Sequence, residues 1–162
     1  ECAMGKYPVE CVKTMVKIAN RVEPEINYWK RFDDKEKIEL NTLEDNITYS
    51  TCIIAKNTNA DAIVAYTHTG DSARRLAGMG AGCPILAITD NKITFRQLGL
   101  AWNIHPIYVD PKDSIDNTVE AGLEKLKEKG ILESGDKVVI SGGRNYVKNA
   151  KLSKMIGGYV EI

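Results

Sequence analysis

The residues best suited to chemistry stand where an apolar run gives way to a helical stretch: Thr67-His68-Thr69-Gly70-Asp71-Ser72-Ala73. Thr67, Thr69 and Ser72 supply three hydroxyls, and Gly70 lets the backbone come close to a ligand. A helix starting here offers unpaired N–H groups at its positive end. Together these make a small phosphate cradle. The simpler reading is that Asp71 or Ser72 caps the helix. Asp71 also opposes an anion: two unit charges about 4 Å apart at an effective dielectric of 20 cost roughly 4 kcal/mol, against roughly 0.3–1 kcal/mol returned by a helix terminus. A phosphate in this loop therefore needs cations, and Arg74, Arg75 and Arg144 are the candidates.

Two further loops have the same strand-to-helix or strand-end character. Thr89-Asp90-Asn91-Lys92 reads as turn-and-cap chemistry. Ser141-Gly142-Gly143-Arg144-Asn145 places backbone amides and a guanidinium where they can approach the first loop, and Lys148, Lys151 and Lys154 beyond it read as a solvated loop. No nucleophile, base and orienter stand in a recognisable motif. His68 and His105 are alone in their segments, which argues against a two-histidine metal site. Cys2, Cys11, Cys52 and Cys83 form no C-x-x-C pair and are expected to be reduced, as in a cytoplasmic protein.

The elements that must position these loops alternate. Residues 8–20 carry Val12, Met15, Val16 and Ala19 at helical spacing, with Pro8 where a first turn tolerates it. Residues 20–40 are polar, dotted with aromatics and without period, and read as a linker. Thr42 and Asp45 resemble a capped helix start. Four apolar runs follow: Ala62 to Tyr66, Pro84 to Ile88, Pro106 to Val109 and Lys137 to Ile140. Helical stretches over 72–79, 94–102 and 114–129 lie between them, the last ending before Gly130. This order implies right-handed crossovers and a largely parallel sheet covered on both faces. Tyr159 to Ile162 alternates like an antiparallel edge strand. In such a sheet, ligands bind beyond the carboxyl ends of the strands, which is where the three loops fall.

With 162 residues the chain matches one domain, with room for a piece of a second. Its 22 basic and 22 acidic residues give no net charge, and neither a basic stripe for nucleic acid nor a polybasic membrane segment is evident. Zero net charge makes self-association easier. The opening at Glu1 is neither a signal peptide nor a transit sequence, and reads as a fragment of something longer.

Several of these segments resemble pyruvate kinase. Glu1 to Glu10 is similar to the S-G-E-T-A-x-G-x-Y-P-x-E run before the last helix of that family's catalytic barrel. Thr67 to Arg74 is similar to its T-x-S-G-x-[ST]-A-R loop, Cys83 to Thr89 to its C-P-I-[IL]-A-[VI]-T strand, and Gly135 to Ile140 to its G-D-x-V-V-[IV] strand. Arg96-Gln97-Leu98, Trp102 and Pro106 keep the family's spacing.

The resemblance implies a three-layer α/β/α domain with a mostly parallel five-stranded sheet whose last strand is antiparallel. It assigns residues 1–22 to the tail of the (β/α)8 barrel, 23–40 to a linker and 41–162 to a C-terminal regulatory domain. The full enzyme moves phosphate from phosphoenolpyruvate to ADP, with Mg2+ and K+, as a cytoplasmic homotetramer. Its catalytic, metal and nucleotide residues are expected upstream of Glu1, so this segment should hold no cofactor and be inactive alone. An effector phosphate is expected at Thr67, Thr69, Gly70, Asp71 and Ser72, helped by Arg144. Two departures stand against the pattern. Asp71 occupies a position where several regulated members carry a basic or neutral residue, and residues 141–154 lack the usual G-x-[TS]-x-T-N ending. A free-standing metabolite-binding module and a purely structural subunit-interface domain are the alternatives.

Overall fold

The computed structural model describes residues 2–34, 40–142, 147–151 and 159–160. Its elements are α1 (Pro8–Val22), α2 (Tyr28–Asp33), α3 (Leu43–Thr58), β1 (Ala62–Tyr66), α4 (Asp71–Met79), β2 (Ile85–Thr89), α5 (Lys92–Leu98), β3 (Ile104–Tyr108), α6 (Ile115–Glu128), β4 (Lys137–Gly142), β5 (Val147–Lys151) and β6 (Tyr159–Val160).

The strands form one sheet in the order β3-β2-β1-β4-β5-β6. β1 to β4 are parallel, with Ile63 opposite Ile85 and Val139, and Ile85 opposite Ile104. Both faces of β1 and β2 are buried, which is why these strands read as continuous apolar runs. One face carries Ile63, Ala65, Ile85, Ala87 and Val139 against Cys52, Ala55, Leu76 and Phe32 of the helices. The other carries Val64, Leu86, Ile88, Val138 and Ile140 against Val119, Leu123 and Leu126 of α6. The face changes when the chain turns back from β3 to β4, as right-handed crossovers require.

Local chemistry sets the helix limits. Thr42 Oγ1 accepts the Asp45 N–H at 3.1 Å while Asp45 Oδ2 accepts the Thr42 N–H at 3.2 Å, a reciprocal capping box that starts α3. Ser114 Oγ accepts the Asn117 N–H at 3.1 Å to start α6, and Gly130 takes φ +64° just beyond its end. α5 runs from residue 92 rather than 94, because Asn91 Oδ1 accepts the N–H groups of Ile93 and Thr94. It stops at Leu98, short of the expected residue 102, where Leu100 and Ala101 turn back on Gln97 and Leu98 in three-residue steps.

The sheet corrects the expectation of five strands: among the described residues it has four parallel strands and two antiparallel ones, six in all. The additional strand is β5, in the segment read as a solvated lysine loop. Its backbone pairs with β4, Ile140 opposite Lys148 and Lys137 opposite Lys151. Lysines are common on strands near a sheet edge, where they discourage pairing with another chain, so their presence did not exclude a strand. Tyr159 and Val160 form the expected antiparallel strand, on β5.

Within the stretch read as a linker, residues 28–33 form α2, capped by Asn27 Oδ1 accepting the Lys30 N–H at 2.9 Å. Six residues are too few to show a helical period. Phe32, only 3% exposed, anchors this helix, with Trp29 and Tyr49 at ring-centroid distances of 5.9 and 5.5 Å. The expected α1 also forms, but none of its residues is buried, and Val9, Val12, Met15, Val16 and Ile18 face outward.

Candidate functional site

The strand order reverses at β1. From β1 the chain proceeds to β2 and β3 on one side and then crosses back to β4 on the other. Such a reversal places a crevice beyond the carboxyl ends of β1 and β4. A cleft of about 410 Å³ lies there, lined by Glu44 and Thr48 of α3, Thr69, Asp71, Ser72 and Arg75 of α4, and Ser141 of β4.

The loop expected to cradle a phosphate is ordered by its own side chains. Thr67 is buried, and its Oγ1 accepts the Gly70 N–H at 2.9 Å. This closes a tight turn in which Gly70 takes φ +90°, a conformation that favours glycine. Gly70, not Asp71 or Ser72, is the residue at the cap of α4, and the Asp71 N–H donates to the Thr69 hydroxyl at 3.4 Å. The simpler reading of Asp71 and Ser72 as caps is therefore corrected: the Thr67–Gly70 bond already sets the chain's entry angle. Ser72 is left to line the cleft.

Asp71 instead joins the loop. Thr69 Oγ1 donates to Asp71 Oδ2 at 3.0 Å, and Arg74 Nη1 reaches Asp71 Oδ1 at 3.4 Å and the Thr69 carbonyl at 3.2 Å. Arg74 Nη2 donates to Gln97 Oε1 at 3.2 Å. Arg75, the second candidate cation, lines the cleft and is ion-paired with Asp45. Hydrogen bonding from Thr42, reinforced by the Arg75 charge, holds the Asp45 carboxyl below its ordinary range. The crevice thus brings together Thr69, Asp71, Ser72 and Arg75, with Thr67 and Gly70 shaping the loop behind them. The third candidate, Arg144, lies outside the described residues.

A second cluster was not anticipated. His68 Nδ1 lies 2.6 Å from Asp90 Oδ1, and Tyr66 Oη donates to Asp90 Oδ2 at 3.5 Å. The Thr94 hydroxyl donates to the His68 carbonyl at 2.8 Å. Burial, then the adjacent Asp90 charge, raises the Tyr66 phenol above its usual value. The cap reading of the second loop holds for Asn91, whereas Asp90 ties the end of β2 to the loop after β1. The signal was present in the strand alignment. Tyr66 sits opposite Ile88, so the parallel register carried two residues further puts His68 beside Asp90.

Among the described residues, no three His, Cys, Asp or Glu side chains converge on a metal position, and no helix is long and apolar enough to cross a membrane.

Comparison with known proteins gives this geometry a family. The chain is 36% identical over 143 residues to a pyruvate kinase of Clostridium acetobutylicum, covering 88% of this chain and 30% of that protein. It is 35% identical over 144 residues to pyruvate kinase 2 of Synechocystis, covering 88% and 24% respectively. The chain thus spans less than a third of the length of these relatives. A crystal structure of pyruvate kinase from Cryptosporidium parvum superposes with a TM-score of 0.80 at 23% identity, over 94% of this chain and 31% of that one. A second pyruvate kinase structure from that organism gives 0.82 at 23% identity, over 94% and 32%. Residues 45–153 match the family model "Pyruvate kinase, alpha/beta domain", and the chain belongs to the pyruvate kinase family through that domain.

Proposed function

We propose that this chain is the C-terminal regulatory and assembly part of a pyruvate kinase, and that the crevice between β1 and β4 takes the phosphate of an anionic effector. In this reading residues 1–22 are the tail of the catalytic barrel, 23–40 a linker and 41–162 the regulatory domain. The whole enzyme would transfer a phosphoryl group from phosphoenolpyruvate to ADP in the cytoplasm, as a homotetramer. Mg2+ and K+ would serve the barrel. The chain alone would transfer no phosphoryl group.

The observation that carries the effector reading is the start of α4. It opens at the strand-order reversal with Gly70 as its cap, and among the described residues its first N–H groups meet only one side chain, the Thr69 hydroxyl, which accepts the Asp71 N–H at a long 3.4 Å. The hydroxyls of Thr69, Ser72, Thr48 and Ser141 line the same cleft. Helix dipole and hydroxyl donors together suit an anion. The effector would contact Thr67, Thr69, Gly70 and Ser72, with Asp71 as the opposing charge and Arg144 as a supporting cation.

Titrating the chain with fructose bisphosphate, ribose phosphate, AMP and inorganic phosphate, while following thermal unfolding, tests this reading. A ligand at 100 times its dissociation constant should stabilise the fold by roughly 2.7 kcal/mol. No shift with any of the four would leave the second reading, a structural subunit-interface domain. That reading is favoured by Leu100, which is 93% exposed. The parent reading frame tests the enzyme assignment: a barrel with a catalytic lysine and acidic metal ligands should be encoded upstream.

A further inference from the structure

Two arginines follow one another near the start of α4, and the fold treats them differently. Arg74 is committed to the loop: it reaches the Thr69 carbonyl at 3.2 Å, Asp71 at 3.4 Å and Gln97 at 3.2 Å, and it lies off the cleft wall. Arg75, one residue on and about 100° round the helix, lines the cleft and crosses from α4 to α3 to pair with Asp45. Its side chain is 44% exposed, so a solute entering the cleft can reach the guanidinium.

Asp45 does not depend on this pairing. Its Oδ2 accepts the Thr42 hydroxyl at 2.6 Å and the Thr42 N–H at 3.2 Å, while Arg75 takes Oδ1. The Thr42 hydrogen bond lowers the Asp45 carboxyl more than the Arg75 charge does, and a carboxylate in the first turn of a helix is favoured by the dipole. With Arg75 gone, Asp45 would keep its capping box. Ser141 of β4, only 4% exposed, lines the same cleft. Among the described residues no group bonds its hydroxyl, and no side-chain polar atom shut off from solvent is left unpaired, so this hydroxyl opens into the cleft. A hydroxyl so buried is ordinarily paired, and here the cleft is where its partner must come from.

We infer that Arg75 is the cation that receives the phosphate in this crevice and that Asp45 is its resident competitor, so that ligand binding exchanges an internal carboxylate for the phosphate on one guanidinium. The inference rests on the effector reading above and names what regulates that site. A phosphate suits the guanidinium fork as a carboxylate does and carries more charge. The exchange leaves Asp45 ionised in its capping box, while the ligand gains Arg75 and the Ser141 hydroxyl.

The test titrates inorganic phosphate into the 162-residue chain, followed by NMR. The Arg75 Nε–H signal should shift on binding, while the Thr42 amide, bonded to Asp45, keeps its protection from exchange. Asp45→Asn keeps an oxygen for Thr42 but no charge for Arg75, and should bind phosphate roughly threefold more tightly. Arg75→Gln should bind it roughly tenfold more weakly. In the Arg75→Gln background, Asp45→Asn should change nothing, because no cation remains to be released. The same gain in that background would show that Asp45 acts by repulsion through space, and would overturn the exchange. Equal binding by the native chain and Arg75→Gln would overturn it too, and the effector reading would survive either result. Binding by none of the four proteins would remove the effector site itself, and this inference with it.

Discussion

Thr69 Oγ1 donates to Asp71 Oδ2 at 3.0 Å, so the hydroxyl best placed for an incoming phosphate is already bonded to an anion belonging to the protein. Arg74 extends the same arrangement by holding the other carboxylate oxygen at 3.4 Å. In the proposed effector site Asp71 would compete with the ligand for both a hydrogen-bond donor and a cation, in addition to repelling it through space.

Replacing Asp71 with arginine should therefore strengthen binding of a sugar phosphate. The Asp71 side chain is 71% exposed, so the interaction is largely screened and closer to about 1 kcal/mol at 4 Å than to its low-dielectric value. Reversing the charge counts that term twice, about 2 kcal/mol, or roughly 30-fold in affinity. Calorimetric titration of Asp71→Arg with fructose bisphosphate measures the change. Unchanged or weaker affinity would place the phosphate elsewhere.

The loop before α4 is also anchored sideways, by His68 on Asp90. With the imidazole 63% exposed, its loss should lower global stability by no more than about 1 kcal/mol. Its local effect should be larger. In His68→Ala the Gly70 amide, now bonded to the Thr67 hydroxyl, should exchange faster while the amides of β1 keep their protection. Equal loss of protection in β1 and at Gly70 would show that the contact supports the whole fold rather than the loop.

How much of this was legible in the sequence follows from what each feature depends on. β1, β2 and β4 are buried on both faces along most of their length, so their composition alone revealed them, and the Thr42–Asp45 box was visible because its two residues are three apart. α2 was hidden: its evidence is one buried phenylalanine whose partners Trp29 and Tyr49 give no local period. β5 was hidden because its lysines read alike in a loop and in a strand beside an edge. At the site, the Thr67–Ser72 loop announced itself by hydroxyls and glycine. The Asp71–Thr69 bond, the Arg75–Asp45 pair and the His68–Asp90 contact depend on register and rotamer, which composition does not encode.

Asp45 makes a pH-dependent contribution whose sign is set by its environment. Its carboxyl is held below the ordinary range by the Thr42 hydrogen bond and then by Arg75, so the folded state favours the charged form. This stabilisation is present above the unfolded carboxylate value of about 4 and is lost as pH falls through the lower folded value. Acid titrations of unfolding should show a shallower loss of stability below about pH 4 in Asp45→Asn than in the native chain. Parallel acid limbs for the two proteins would show that the carboxylate contributes nothing to the pH dependence.

Packing between α6 and the sheet gives a sharper test of the core. A Cβ at Gly122 would press hardest on Cδ1 of Ile88, the methyl that valine lacks, and would lie 2.7 and 2.8 Å from its Cγ1 and Cγ2, in a fully buried side chain in the middle of the sheet. Alanine favours a helix interior over glycine by about 0.8–1 kcal/mol, but overpacking a core costs about 1–3 kcal/mol. Gly122→Ala should therefore destabilise the domain by about 1 kcal/mol in urea. Ile88→Val alone should also destabilise, by about 0.5–1.5 kcal/mol, since it removes a buried methyl group. The two changes should partly cancel, because the methyl lost from Ile88 makes room for the one gained at Gly122. The double variant should be more stable than the sum of the single losses predicts, by about 0.5 kcal/mol or more. Simple additivity would mean that α6 moves away from β2 to accept the new methyl, and that the close approach at Gly122 does not fix its position.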